Sequence, residues 1–202
     1  MTTRRYKRRI EFRDLRDRIL IICEGKGTEP RYFENFPINK KVVDIDVRGI
    51  GRNTDSLVEK VVAIKNEEER NGKKYNQVWC VFDKDSFTPH NFNRAIQLAE
   101  NNKIRVAYSN QAFELWFLLH FNYQDAAVPR QSYVDKLTES LGYEYKKKSS
   151  VIDDVYRDLK DKQNAAIKRA KKLYNSYPTP NPLKNDPSTS VHTLVEEIRK
   201  FI

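Results

Sequence analysis

The sequence predicts an α/β fold: a mostly parallel four-stranded sheet flanked by helices, with a helical C-terminal extension. Three observations carry that prediction. Short apolar runs alternate with stretches of helical spacing through the first 110 or so residues, with brief connections between them. Four of the six glycines fall in two clusters, Gly25/Gly27 and Gly49/Gly51, each just after an apolar run. Such loops lie at the carboxyl edge of an open sheet, where glycine lets backbone approach a ligand. Beyond Asn110 the alternation stops and lysine-rich helical spacing takes over.

The elements follow in order. RILIICEG (18–25) is an apolar run ending in glycine, as a buried strand should be. TEPRYFENF (28–36) opens a helix, with Thr28 as N-cap and Pro30 in the first turn. VVDIDVRG (42–49) alternates apolar and polar residues as a second strand. After GIGRN, Thr54 or Asp55 is placed to cap a helix over 56–70 that Gly72 closes. YNQVWCVFDKD (75–85) is the third strand, NFNRAIQLAENN (91–102) a helix and IRVAYSN (104–110) the fourth strand. FELWFLLHF (113–121) predicts a buried helix, and residues 130–177 are largely helical, with one continuous helix expected over 153–174. Four of the eight prolines, between Pro178 and Pro187, mark an irregular loop before a last helix capped by Ser188 or Thr189.

The length suits one domain with a proper core, residues 18–202, whose sheet core spans about 18–122 and whose helical part spans about 123–202. A basic arm, residues 1–17, precedes it. The net charge is +10, and the first eighteen residues hold eight Lys/Arg against three Asp/Glu. Such an arm is either a phosphate contact or a solvated tail. No apolar run approaches the roughly 20 residues of a membrane helix, and the polar N-terminus carries no secretion signal, so a cytoplasmic location without membrane contact is expected. Cys23 and Cys80 both lie inside apolar runs and read as buried thiols. Two cysteines and three scattered histidines make no zinc pattern, which leaves hard ions held by carboxylates.

The chemistry centres on acidic residues at strand ends. Glu24 ends the first strand, and Asp83 and Asp85 end the third. Residues at the same edge of neighbouring parallel strands converge in space, and both carboxylates of an Asp-x-Asp can point the same way across the pleat. Three oxygen donors around one point suit Mg2+, with Mn2+ as a substitute, and a metal there can polarise a phosphoryl group or orient a hydroxide. The bland alternative is a strand ending in a polar turn, with Glu24 capping a helix.

ILIICEG followed by VFDKD resembles the Toprim fold of topoisomerases, primases and OLD-type nucleases. More narrowly, ICEGKGTEPRYFENF, VFDKDSF, SNQAFELWFLLHF and NDPSTSVHTLVEEI look like the RloB-like family of bacterial phage-defence loci. The resemblance implies metal binding by Asp83 and Asp85, with Glu24 as ligand or general acid-base group. It also implies a separately encoded ATPase partner, a toxic nuclease activity released on infection, and RNA, tRNA in particular, as substrate over DNA. The tyrosine nucleophile and fused ATPase domain of larger Toprim enzymes are not evident.

Secondary candidates carry two readings each. Glu29 either joins the metal site or favours the helix dipole. Lys26 is a phosphate contact or an exposed loop lysine. Asn110 and Glu114 follow the fourth strand on the metal side, and a charge inside FELWFLLHF needs a partner; a catalytic role for Glu114 and substrate contact by Asn110 are expected. His120 is expected in the core and His192 on the surface. Lys168, Arg169, Lys171 and Lys172 either track a nucleic-acid strand or form a solvated face.

The expected function is a Mg2+-dependent nuclease acting as an antiphage effector. The alternatives are a non-cleaving module that binds nucleic acid or an ATPase, and a nucleotide phosphohydrolase or primase-like polymerase. The sequence holds no Gly-x-x-x-x-Gly-Lys-Ser/Thr loop, which excludes a P-loop ATPase. Whether the chain is a monomer or a homodimer is open.

Overall fold

The computed structural model describes residues 16–51, 56–84, 89–178 and 181–202. The arm up to residue 15, the cap candidates Thr54 and Asp55, and Asp85 lie outside the described residues.

Strands β1 (Asp17–Cys23), β2 (Val43–Gly49), β3 (Gln77–Asp83) and β4 (Arg105–Ser109) form one sheet in the order β2-β1-β3-β4, with every pairing parallel. Ile19 to Cys23 are all fully buried. A central parallel strand covered on both faces demands such an unbroken apolar run. Helix α1 (Thr28–Glu34) leads from β1 to β2, while α2 (Leu57–Arg70) and α3 (Pro89–Asn101) lie on the opposite face. The chain therefore steps from β1 outward to β2, then returns past β1 to β3. The reversal opens a crevice between the carboxyl ends of β1 and β3, where open α/β sheets bind ligands.

The remaining helices are α4 (Glu114–Leu118), α5 (Arg130–Leu141), α6 (Ser149–Leu159), α7 (Gln163–Asn175) and α8 (Val191–Arg199). Their apolar residues join Ile19, Ile21, Cys23, Trp79, Val81 and Ala107 in one core on the α1 face. Leu20, Ile22, Val78, Cys80 and Phe82 face α2 and α3 in a second core. Tyr32 pins the first core. Its hydroxyl accepts from Trp116 Nε1 at 2.8 Å and Gln163 Nε2 at 2.9 Å, joining α1, α4 and α7.

Three expectations need correction. The helix over 153–174 is not continuous: a 3-10 turn, Lys160–Lys162, separates α6 from α7. α6 packs on α1 whereas α7 packs on α4 and α8, and one straight helix cannot serve both. His192 is buried, 4% exposed, beside Tyr174, because it takes an inward position of α8. Ser188 and Thr189 are fully buried. They fasten the loop to β4, where Asn110 N–H donates to Ser188 O at 2.7 Å and Thr189 Oγ1 donates to Tyr108 O at 3.1 Å. The N-cap of α8 is Ser190 instead, and Thr189 Oγ1 accepts from Val191 N–H at 3.2 Å from one residue before it.

His120 is a core residue, as expected: its Nδ1 meets Trp116 O at 2.9 Å, and burial pushes its pKa down to about 4. Both cysteines are free and buried. Among the described residues no helix is long and apolar enough to cross a membrane.

Candidate functional site

Glu24 is the first residue past β1, and its main chain extends the sheet ladder. Its N–H donates to Val81 O at 2.9 Å and its carbonyl accepts from Gly51 N–H at 2.8 Å. Its carboxylate reaches toward the neighbouring strand end, where Asp83 N–H donates to Oε2 at 3.3 Å. Side chains alternate across the sheet. Cys23, Trp79 and Val81 face α1, which sets Asp83 on the α1 face and Glu24 on the α2 face. The two carboxylates thus straddle the edge of the sheet at the switch point.

Two more acids close on Asp83 from the α1 side. Glu29, in the first turn of α1, folds back over the β1 loop so tightly that a Cβ on Gly25 would overlap its carboxylate. A Cβ on Gly49 would likewise strike the Gly25 carbonyl and Lys26 Cα. The two glycine clusters exist so that these loops can cross and present Glu29. Glu114 opens α4 and is fully buried. Oε1 accepts from Tyr145 OH at 2.9 Å and pairs with Lys147 Nζ at 2.7 Å, while Oε2 has no partner.

The cations opposite come from the helical C-terminal part. Arg130, the first residue of α5, places Nη2 3.8 Å from Asp83 Oδ2. A cation in a first helical turn opposes the helix dipole, and the Asp83 carboxylate compensates for it. Lys147 lies in the loop before α6. Glu24, Glu29, Asp83, Lys26, Arg130 and Lys147 line a cleft of about 280 Å³.

The electrostatics follow from burial. Asp83, 5% exposed, has its pKa raised well above the ordinary carboxylate range, first by desolvation and then by Glu29 and Glu114, against the pull of Arg130 and Lys147. Glu29 is raised for the same first reason. Its backbone hydrogen bond and Lys147 lower it, while Glu114 and Glu24 add to the rise. Among the described residues, then, four carboxylates gather at this cleft beside Arg130, Lys147 and the rim residue Lys26.

The donors are oxygen only, and the unpartnered Glu114 Oε2 is a buried acceptor without a donor. In chemistry the set fits a hard divalent cation. Among the described residues, however, no three such groups meet around one point. Asp85, expected as the further ligand, lies outside the described residues.

Other candidates sit elsewhere. Asn110 is fully buried and its amide donates to Asn185 O at 2.7 Å, so it anchors the 185–190 loop outside the cleft. Lys168, Arg169, Lys171 and Lys172 do not line the cleft. Arg169 donates to the carbonyls of Leu119 and His120, both at 2.9 Å, Lys171 pairs with Glu196 at 2.6 Å, and Lys172 stacks on the Tyr123 ring at 4.3 Å. Lys26 is exposed, and its stem crosses Gly51, whose φ is +59°. Sequence reasoning missed Arg130, Tyr145 and Lys147. The one available signal was an arginine directly after Pro129, at a helix start where a cation is disfavoured.

The fold and this cleft define a class: a doubly wound α/β protein with an acidic, cation-flanked site at its switch point. A family model described as RloB-like protein matches residues 19–198, and the chain belongs to that family. Comparison with curated proteins and with solved structures returned no match.

Proposed function

We propose that the chain is a metal-dependent nuclease of the Toprim type, cleaving RNA, with tRNA favoured, as an effector of antiphage defence. The observation that carries the reading is the gathering of Glu24, Glu29, Asp83 and Glu114 at the β1/β3 crevice, with Arg130, Lys147 and Lys26 among the described cations beside them. A buried excess of carboxylates is costly to hold, and a docking surface has no need of one. Glu24 and Asp83, with Asp85, would hold Mg2+ or Mn2+, and Glu29 and Glu114 stand beside them. The ion would supply Lewis acidity at a phosphodiester and a water of lowered pKa.

The chain's own residues supply the rest. Arg130 and Lys147 offer donors to phosphate oxygens at the cleft mouth, and Lys26 adds a third cation on its rim. Glu29 holds its proton more tightly than an ordinary carboxyl, which suits transfer to a departing oxygen. Family membership supports the defence role and the partnership with a separately encoded ATPase.

The test is incubation of the purified chain with total RNA and with plasmid DNA, with and without Mg2+ or Mn2+, alongside Asp83→Ala. RNA cleavage that needs metal and is lost in the variant supports the reading. Binding of RNA without cleavage under every metal condition, with the partner ATPase present, would replace it by a non-cleaving module.

A further inference from the structure

The two edges of the sheet are treated differently. At β4 the 188–190 segment takes up the outward backbone groups: Ser190 N–H donates to Tyr108 O at 2.9 Å, and Tyr108 N–H donates to Ser190 Oγ at 2.9 Å. At β2 no described strand or segment covers the edge. The register fixes which groups are free. Asp17 N–H donates to Val42 O, and Ile50 N–H donates to Cys23 O. With Ile19 opposite Ile45 and Ile21 opposite Val47, the even residues Asp44, Asp46 and Arg48 bond inward to β1. The amides and carbonyls of Ile45 and Val47 therefore point outward, and among the described residues nothing pairs with them.

The side chains along this edge match an antiparallel copy of themselves. A two-fold axis through Asp46 sets Ile45 opposite Val47 of the second copy, in reciprocal hydrogen-bonded pairs, and Val47 opposite its Ile45. Both side chains are half-buried on the α1 face, above a cleft of about 710 Å³ walled by Phe33, Phe36 and Ile38. On the other face the same axis sets Asp44 opposite Arg48. Asp44 is exposed and its side chain makes no hydrogen bond or ion pair among the described residues, and among them Arg48 Nη1 is likewise without a bond while Nε and Nη2 hold Asp46 at 3.0 and 2.6 Å. Asp46 meets its own copy at the axis. Each Asp46 carboxylate accepts from its own Arg48 and from Tyr75 OH at 2.8 Å, and Arg48 Nη2 also pairs with Glu68 at 2.7 Å, itself beside Lys73.

We infer that the chain forms a homodimer by antiparallel pairing of β2 with β2 of a second copy, joining two four-stranded sheets into one. The free backbone donors and acceptors supply the attraction of an unprotected edge. The outward amides and carbonyls of Ile45 and Val47 exclude a slip by one residue, and the Asp44–Arg48 match excludes a slip by two, which would set Asp44 opposite Asp46 or Ile50. The inference does not rest on the nuclease reading.

The test is sedimentation velocity on the full chain across the micromolar range, with Val47→Pro and Asp44→Arg. Val47 N–H is not used within its own sheet, so proline is tolerated there as on any edge strand but cannot donate across the interface. Asp44→Arg loses no partner in its own chain and sets two arginines opposite each other. The expected result is a concentration-dependent dimer that each variant weakens by at least about tenfold, with unchanged far-ultraviolet circular dichroism. The Ile45 and Val47 amides should be protected from hydrogen exchange only at dimer-forming concentrations. A monomer at all concentrations overturns the inference, as does a dimer that Asp44→Arg and the exchange pattern leave untouched. If Val47→Pro fails to fold, those last two measurements decide.

Discussion

Replacing Glu114 by glutamine separates a carboxylate kept for chemistry from one kept for stability. The side chain is 1% exposed, and its Lys147 partner is 44% exposed. That ion pair is half in water, so its loss costs about 1 kcal/mol. The Tyr145 hydroxyl would then donate to an amide oxygen instead of a charged one, which costs about another 1 kcal/mol. Against these stand the desolvation of a fully buried charge, worth several kcal/mol in practice, and its repulsion with Asp83 and Glu29. The balance favours the variant by about 1–3 kcal/mol in the absence of metal, and each kcal/mol moves the melting temperature of a chain this size by about 2–4 °C. Glu114→Gln should therefore melt higher than wild type in chelator, gain less from added Mn2+, and lose RNA cleavage. Thermal unfolding with and without metal, paired with the cleavage assay, reads all three. A variant that melts lower in chelator yet cleaves normally would sink the reasoning: Glu114 would then be a structural tie between α4 and the Tyr145–Lys147 loop.

Other outcomes follow from the same geometry. Asp83→Ala should abolish Mn2+ binding by calorimetry and toxicity on expression while keeping the fold, because the residue stands at a strand end and contributes little to the core. Arg169→Gln should lower stability by about 1–2 kcal/mol through the lost donors to Leu119 and His120, and should leave the salt dependence of RNA binding unchanged; a slope flatter by about 0.7–0.9 would instead assign it a phosphate. His120 is held neutral in the fold with a pKa of about 4, whereas the unfolded chain protonates it near 6.5. Protonation therefore favours the unfolded state, and stability falls as pH drops from about 6.5 toward 4, by on the order of 3 kcal/mol. His120→Gln should remove that part of the slope in urea titrations at stepped pH, and identical slopes would contradict the assignment.

The sheet was legible because its physics is local. Burial on both faces forces β1 and β3 to be unbroken apolar runs, and glycine pairs betray crossing loops, as Gly25 against Glu29 and Gly49 against Gly25 bear out. Glu24 and Asp83 could be placed from strand ends alone. Their facing could not: alternation puts them on opposite faces, and the bond from Asp83 N–H draws the carboxylate of Glu24 back toward the edge. Lys147 was hidden in a run of three lysines whose default reading is solvent. The break between α6 and α7 was hidden too, because KDKQ continues helical spacing and the turn there is imposed by packing on α1 and α4. His192 looked like a surface residue for the converse reason: it flanks the apolar stripe of Val191, Leu194, Val195 and Ile198, where a polar residue reads by default as solvent-facing.

The division of labour between the two parts of the chain gives the C-terminal helices a role beyond covering a face. Among the described residues the carboxylates of the cleft come from the sheet core, α1 and α4, and the cations that pair with Asp83 and Glu114, Arg130 and Lys147, come from beyond residue 122. Tyr145, in the same loop as Lys147, packs near Phe117 and hydrogen-bonds Glu114. Movement of the α5–α6 connection would therefore remove a cation and a hydroxyl from Glu114 together, leaving a fully buried carboxylate with neither partner. A buried carboxylate left so is costly, which ties the position of the connection to the stability of α4. The α5–α6 connection thus holds Glu114 through two groups at once, so a substitution that loosens it acts on the cleft without touching the sheet.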